Sequence, residues 1–176
     1  MTTLPLVIRP ELAGDADPIE RLHERAFGPG RFARTAFRLR EGAPHLLDLS
    51  FTALVGTLLV GSVRLTPVKA GSADALMLGP LTVDPAFENR GIGRALIERS
   101  LGAAREAGHR LVLLIGDEPY YGRFGFRRLP PGRLAMPGPV DPARFLALEL
   151  AEGALMDAQG AVLPLKQWAA PGGIAG

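Results

Sequence analysis

The stretch AFENRGIGRAL, residues Ala86 to Leu96, places a glycine-rich turn at the start of a run of good helix formers. Gly91 and Gly93 flank one apolar residue, and an arginine stands on either side of them. The first N–H groups of a helix lack acceptors within the helix and attract anions. Glycine lets the backbone approach a ligand and take positive φ, which aims successive N–H groups into one concavity. The turn is therefore predicted to bind phosphate.

Three other interpretations of this stretch compete with that prediction. The two glycines alone are also compatible with a tight turn before an amphipathic helix. A Rossmann dinucleotide fingerprint needs a third glycine where this chain has Leu96, and an acidic residue about 20 positions further on, where the chain reads LVLLI. A Walker loop needs Gly-Lys-Ser/Thr, which the sequence lacks.

The composition indicates a globular protein and narrows its chemistry. The chain has 176 residues, 20 Lys+Arg against 18 Asp+Glu, and no cysteine. This charge balance argues against binding to nucleic acid through bulk charge. Without cysteine there is no disulfide, thiolate metal site or cysteine-linked acyl intermediate. The three histidines are far apart and show no metal-ligand spacing, so no metal is predicted.

Two features of the sequence indicate where in the cell the protein is located. The longest apolar run, Ala53 to Val63, is far shorter than the roughly 20 residues that span a bilayer. The N-terminal residues MTTLPLVIRPEL have neither a basic region nor a long apolar region of the signal-peptide type. Together with the absence of cysteine, these features predict a cytoplasmic protein that does not bind membranes.

Hydrophobic periodicity predicts the element order β-α-α-β-β-β-α-β-α-β in one domain, 1–168, with a flexible tail at 169–176. Three consecutive antiparallel strands are expected between Leu47 and Pro85, since their connections are too short for crossover helices. The other elements are a strand in 4–10, helices in 14–30 and Phe32–Glu41, a helix Gly91–Ala107, a buried strand Arg110–Gly116, a short helix Tyr120–Phe124, a strand Arg144–Leu150 and a hairpin in 153–165. The segment 151–168 forms a C-terminal extension.

Two motifs in a fixed order resemble the GNAT superfamily of N-acetyltransferases. The stretch LGPLTVDPAFENRGIGRALIERSL contains the family signature of Gln or Arg, two residues, Gly, one residue, and Gly or Ala, aligned here on 88–93. After a buried strand follows YYGRFGFRRL, in which Tyr121 precedes Gly125-Phe126 as in the family. The resemblance implies an α/β (α+β) fold of the acyl-CoA N-acyltransferase type. Its mixed, mostly antiparallel sheet has flanking helices and a V-shaped splay between two central strands.

The resemblance also implies a co-substrate, acetyl-CoA, and the residues that hold it. The turn would bind the pyrophosphate through backbone N–H groups, and the strand before it would pair with the pantetheine arm. Carried over to this sequence, the strand residues are Leu81, Thr82 and Val83. The turn residues are Asn89, Arg90, Gly91, Ile92, Gly93, Arg94 and Ala95.

The catalytic assignments follow from the same resemblance. Tyr121 matches the family's usual general acid, and a phenol with a pKa of about 10 can donate a proton to a departing thiolate. The alternative for Tyr120 and Tyr121 is that adjacent aromatic rings pack a short helix against the sheet. For the base that deprotonates the amine, Asp117 or Glu118 is favoured, while Asp84 and water remain alternatives.

One residue departs from the family pattern. Glu88 stands where the signature has Gln or Arg, and a carboxylate facing pyrophosphate would be repulsive. Either Glu88 points to solvent or coenzyme A binds more weakly than in the family.

The resemblance implies an N-acetyltransferase, and our first hypothesis for its acceptor is the primary amine of a small molecule. The absence of cysteine favours direct attack in a ternary complex. A protein N-terminus or lysine is an alternative acceptor, and a non-catalytic acyl-CoA-binding module is an alternative function. The basic residues Arg21, Arg25, Arg31, Arg34, Arg38 and Arg40 either recognise an acidic acceptor or form a solvated face. The C-terminal extension covers the acceptor cleft or forms the edge of a homodimer.

Overall fold

A computed structural model describes residues 5–27 and 44–165. The predicted helix Phe32–Glu41 and the tail at 169–176 lie outside these residues. The helices are α1 Ala16–Phe27, α2 Ile92–Glu106 and α3 Glu118–Tyr121. The strands are β1 Leu6–Pro10, β2 Phe51–Val55, β3 Leu58–Ala70, β4 Ala73–Val83, β5 Leu111–Ile115, β6 Arg127–Arg128, β7 Leu134–Ala135, β8 Phe145–Glu149 and β9 Gly160–Pro164.

The strands pair mostly antiparallel, as the sequence predicts. Their hydrogen-bonded order is β1-β2-β3-β4-β5-β8-β6, and β9 pairs with β3 and β7. The parallel pairs are β4 with β5 and β7 with β9. The described residues divide into two compact units, 5–27, 46–65 and 78–107 in the first and 44–45, 66–77 and 108–165 in the second. That the whole chain is a single domain stays a prediction.

In the first unit, apolar side chains hold two helices on the strands. Ile19 and Leu22 of α1 form a buried cluster with Leu59 of β3. Helix α2 buries a stripe at helical spacing, which explains why this segment is amphipathic. Gly61 of β3 lies under the start of α2, because a Cβ at this position would lie 3.0 Å from both Ile92 Cγ2 and Leu96 Cδ1. The buried stripe of α2 comprises Ile92, Leu96, Ile97, Ser100, Leu101 and Ala104.

In the second unit, β5 is the buried strand that its apolar sequence predicts, with residues Leu111–Leu114 buried. It pairs antiparallel with β8 along its whole length. Its parallel pairing with β4 joins Leu76 to Val112 and Met77 to Leu113. The apolar core of this unit contains Val68, Ala70, Ala75, Met77, Leu111, Leu113, Leu134, Phe145, Ala147, Ala154, Ala158 and Val162.

The predicted hairpin in 153–165 is wrong. Ala154–Asp157 forms a 3-10 turn, and β9 pairs with β3 and β7 and not with a neighbouring strand. The guanidinium of Arg133 holds the turn, because it donates to the carbonyl of Leu155 at 2.6 Å and to that of Ala158 at 2.8 Å. The segment predicted as the first strand of the hairpin is therefore held by hydrogen bonds to the side chain of Arg133 and not by pairing with β9.

Other boundaries also differ from the sequence prediction. Leu47–Leu49 is a 3-10 turn before β2 and not the beginning of that strand. The short helix begins at Glu118 rather than Tyr120 and continues as a 3-10 turn, Gly122–Phe124. Pro119 stands near the start of this helix, where its missing N–H costs nothing because first-turn N–H groups have no acceptor in the helix.

Candidate active site

The glycine turn of the first unit links the end of β4 to α2. We call residues 88–94 the phosphate turn. Asn89 has φ 63° and Gly91 has φ 78°, so two residues close in sequence take the left-handed conformation. Gly91 is the N-cap of α2, and a Cβ at this position would meet no atom within 4 Å. Left-handed residues alternating with right-handed ones turn neighbouring N–H groups to one side, as in anion-binding nests.

The backbone N–H groups of the phosphate turn are available to a ligand. Within residues 5–27 and 44–165, the N–H groups from Asn89 to Arg94 donate no hydrogen bond. The N–H of Ala95 donates to the carbonyl of Gly91 at 3.1 Å, so it is already part of the helix. The donors suited to an anion therefore end at Arg94, one residue earlier than the family resemblance implies.

The side chains of the phosphate turn add positive charge at the surface. The guanidinium of Arg90 lies 5.2 Å from the centre of the Phe87 ring, and that of Arg94 pairs with Glu98 at 3.0 Å. Both arginines are exposed. Glu88 is also exposed, which agrees with the alternative in which its carboxylate points to solvent.

The strand before the turn ends with the three residues expected to face the pantetheine arm. Leu81 and Val83 are half-buried, and Thr82 is buried. The hydroxyl of Thr82 has no hydrogen-bond partner within the part of the chain that the structure describes. The backbone then leaves β4 at Asp84, whose N–H donates to the carbonyl of Val60 at 2.8 Å.

Tyr121 lies in the second unit, at the end of α3. Its N–H donates to the carbonyl of Asp117 at 3.0 Å, and its ring lies 4.9 Å from Tyr120 and 6.1 Å from Phe126, centre to centre. Burial is the largest cause that raises the pKa of Tyr121, to about 12, followed by the charges of Tyr120 and Asp117, while Arg144 opposes them. The phenol therefore holds its proton at neutral pH. Packing and proton donation are compatible in this residue.

The two carboxylates favoured as the base are both engaged in ion pairs. Asp117 lies 3.3 Å from Arg144 and its side chain is 74% exposed. Glu118 lies 3.3 Å from the guanidinium of Arg128 and also accepts the backbone N–H of that residue at 3.1 Å. Glu118 thus joins α3 to β6, which leaves Asp117 as the less constrained of the two.

Sequence patterns do not single out two neighbours of Tyr121. Gly116 follows β5 directly, and its N–H donates to the carbonyl of Arg144 at 2.9 Å. Arg144 in turn pairs with Asp117. A glycine directly after a buried strand is the only local signal for the first of them, and nothing in the sequence links Arg144 to Asp117. Among the described residues, no three His, Asp or Glu side chains are grouped as metal ligands.

Comparison with known proteins identifies the family. Residues 49–128 match the model of the acetyltransferase (GNAT) domain. The N-acetyltransferase YhbS of Escherichia coli K12 is 31% identical over 159 residues, which cover 89% of this chain and 95% of the relative. The chain belongs to the GNAT acetyltransferase family. The matched residues of the family model include both the phosphate turn and Tyr121.

Solved structures agree in fold with this acetyltransferase. The crystal structure of Escherichia coli YhbS in complex with CoA has a TM-score of 0.78 and 29% identity, covering 93% of this chain and 92% of the other. A GNAT acetyltransferase of Brucella melitensis in complex with acetyl-CoA has a TM-score of 0.61 and 31% identity, covering 86% and 98%. The mixed, mostly antiparallel fold predicted from the sequence is thereby confirmed, as is the assignment to the acyltransferases. No described helix is long and apolar enough to cross a bilayer.

Proposed function

We propose that this acetyltransferase transfers the acetyl group of acetyl-CoA to the primary amine of a small molecule in a ternary complex. The amine nitrogen attacks the thioester carbonyl carbon, so that a C–N bond forms and the C–S bond breaks. The amine loses one proton, and the departing thiolate gains one. Acetyl-CoA supplies the activated acyl group, and the protein binds it, orients it and moves the protons.

The phosphate turn is the observation that carries this proposal. Its unbonded N–H groups and the open space beside Gly91 fit a pyrophosphate, with Arg90 and Arg94 adding charge. The complexes of two relatives with CoA or acetyl-CoA support the same co-substrate. Leu81, Thr82 and Val83 at the end of β4 would pair with the pantetheine arm, and a backbone N–H near Val83 would polarise the thioester carbonyl.

Tyr121 is assigned the role of general acid. Its phenol remains protonated at neutral pH because burial raises its pKa to about 12. A protonated phenol can donate to the thiolate as it leaves and can recover its proton from water. The raised pKa keeps the acid in its working form over the whole physiological range, at the expense of acid strength.

The proton of the amine goes to water or to Asp117. Glu118 is less suited to this role, since its carboxylate already accepts a hydrogen bond from the backbone N–H of Arg128 and forms an ion pair with the guanidinium of the same residue. Asp117 is more exposed, and its one ion pair, with Arg144, leaves oxygen lone pairs accessible to water. Asp117 would then act on the amine through an intervening water molecule.

Direct attack is supported by the absence of cysteine. The chain contains none, so no acyl-cysteine intermediate can form. Initial rates measured at varied acetyl-CoA and amine concentrations should therefore give intersecting double-reciprocal lines. Parallel lines would indicate an acyl-enzyme and would contradict the ternary complex.

The acceptor class is tested with a panel of small primary amines beside peptides with a free N-terminus or a lysine. Release of the CoA thiol is followed with a thiol reagent, and the cysteine-free protein adds no background. We expect a small-molecule amine to give the highest kcat/KM. If only the peptides are acetylated, the protein is still an acetyltransferase, but the proposed acceptor class is wrong.

A further inference from the structure

Two Asp-Pro-Ala tripeptides of this chain fold in the same way. In both, the aspartate Oδ1 accepts a hydrogen bond from the alanine N–H, at 3.0 Å in 84–86 and at 2.9 Å in 141–143. A 3-10 turn follows in each case, Pro85–Phe87 after the first and Pro142–Arg144 after the second. An aspartate at this place stabilises the turn by satisfying an N–H that has no acceptor within it.

The first aspartate makes two contacts in addition to the cap. Its Oδ2 lies 3.2 Å from Nη2 of Arg25 in α1, and its backbone N–H donates to the carbonyl of Val60 in β3. The Asp84 side chain is only 15% exposed, whereas Asp141 is exposed. Asp84 is therefore fixed on three sides, by β3, by its own turn and by α1.

This fixed residue lies directly before the phosphate turn. The capped 3-10 turn ends at Phe87, and the phosphate turn begins at the next residue. The Phe87 ring also packs against the guanidinium of Arg90, which belongs to the phosphate turn. Only residues 85–88 therefore separate the fixed Asp84 from the left-handed Asn89.

We propose that Asp84 is the positioning residue of the phosphate turn and that Arg25 orients its carboxylate. The proposal rests on the proposed function, because it takes the turn to be the pyrophosphate site. It also assigns to Asp84 a role other than the base that the sequence left open. Both carboxylate oxygens are already engaged, one by the cap and one by Arg25, so neither is directed to an amine.

The test compares variants of the two tripeptides by calorimetric titration with acetyl-CoA and by thermal unfolding. Asparagine keeps the capping oxygen and removes the charge, whereas alanine removes both. We expect Asp84→Ala to raise the Kd about fivefold to tenfold, an effect of the size of a lost cap. Asp84→Asn and Arg25→Gln should each raise the Kd about twofold, as for a single ion pair near the surface, and the double variant should raise it no further.

Asp141→Ala and Asp141→Asn are the matched controls. Asp141→Ala should lower the melting temperature through the loss of the same cap, Asp141→Asn should keep it, and both should leave the Kd unchanged. Because Asn retains the cap, Asp84→Asn should also keep the wild-type kcat, whereas a catalytic base would lose it. If wild type binds acetyl-CoA and all Asp84 and Arg25 variants bind it equally well, the positioning role is overturned and the proposed function stands. If wild type does not bind acetyl-CoA, both are overturned.

Discussion

The ring of Tyr121 occupies the space that a side chain at position 116 would need. A Cβ on Gly116 would lie 2.9 Å from Cδ2 of Tyr121, and 3.1 Å from Cδ1 of Leu114. The backbone of Gly116 does not have positive φ, so the glycine is required by the neighbouring ring and not by an unusual conformation. The loop after β5 therefore packs directly against the ring of the candidate general acid, Tyr121.

Gly116→Ala should reduce turnover by displacing this ring. We expect kcat to fall about tenfold, since a small displacement of a reacting group is costly, while the Kd of acetyl-CoA stays within about twofold. Gly122→Ala is the control, because the nearest atom to a Cβ there is the flexible Nη1 of Arg127 at 3.4 Å. The double variant Gly116→Ala/Tyr121→Phe should have the same kcat as Tyr121→Phe alone. If the two losses in kcat are instead additive, Gly116→Ala does not act through Tyr121.

Tyr121→Phe should reduce kcat while leaving acetyl-CoA binding unchanged. General acid catalysis contributes about a hundredfold or more, so a loss of that order is expected. Tyr120→Phe, which removes the adjacent phenol, serves as the control and should retain most of the turnover. If the Tyr121→Phe variant keeps the wild-type kcat, Tyr121 is not the general acid and its ring serves only in packing.

Tyr121 should also make the protein less stable in alkaline solution. Burial raises the pKa of Tyr121 from 10.0 to about 12 in the folded protein. The unfolded chain then loses this proton first, so the free energy of unfolding holds below about pH 10 and falls by about 2 kcal/mol between pH 10 and 12. Denaturant unfolding of Tyr121→Phe should lack this decrease relative to wild type. Parallel pH profiles for the two proteins would show that the phenol is not buried.

Glu88→Gln tests the departure from the family signature. Because Glu88 is exposed, removing its charge should leave the Kd of acetyl-CoA equal or lower it by about twofold. Glu106→Gln, at the exposed C-terminal end of helix α2, is the control for a change in overall charge. A large loss of affinity for Glu88→Gln alone would mean that the carboxylate contributes to the site.

How far the sequence predicts this structure depends on how local the interactions are. The buried stripe of α2 and the glycines of the phosphate turn are local patterns, and the helix begins at Ile92, one residue after the predicted start at Gly91. Strand β9 could not be found in this way, since its partners Val68–Ala70 lie about ninety residues earlier along the chain. The strands β6 and β7 have two residues each and leave no periodicity to detect.

In the candidate site, too, local interactions can be predicted from the sequence and long-range interactions cannot. The donors of the phosphate turn follow from the glycine spacing, which constrains a short piece of backbone. The pairing of Asp117 with Arg144 and of Asp84 with Arg25 joins residues 27 and 59 positions apart, which a single sequence does not encode in any local pattern. For this reason the sequence offers all three carboxylates as bases, and only their contacts distinguish them.

Calorimetric titration of the purified protein with acetyl-CoA, with ATP and NAD as controls, tests the central claim most directly. The claim is that the N–H groups of the phosphate turn bind the pyrophosphate of this co-substrate. We expect one site with a Kd on the order of micromolar for acetyl-CoA, and no comparable binding of ATP or NAD. A folded protein that does not bind acetyl-CoA, or that binds ATP equally well, would contradict the claim.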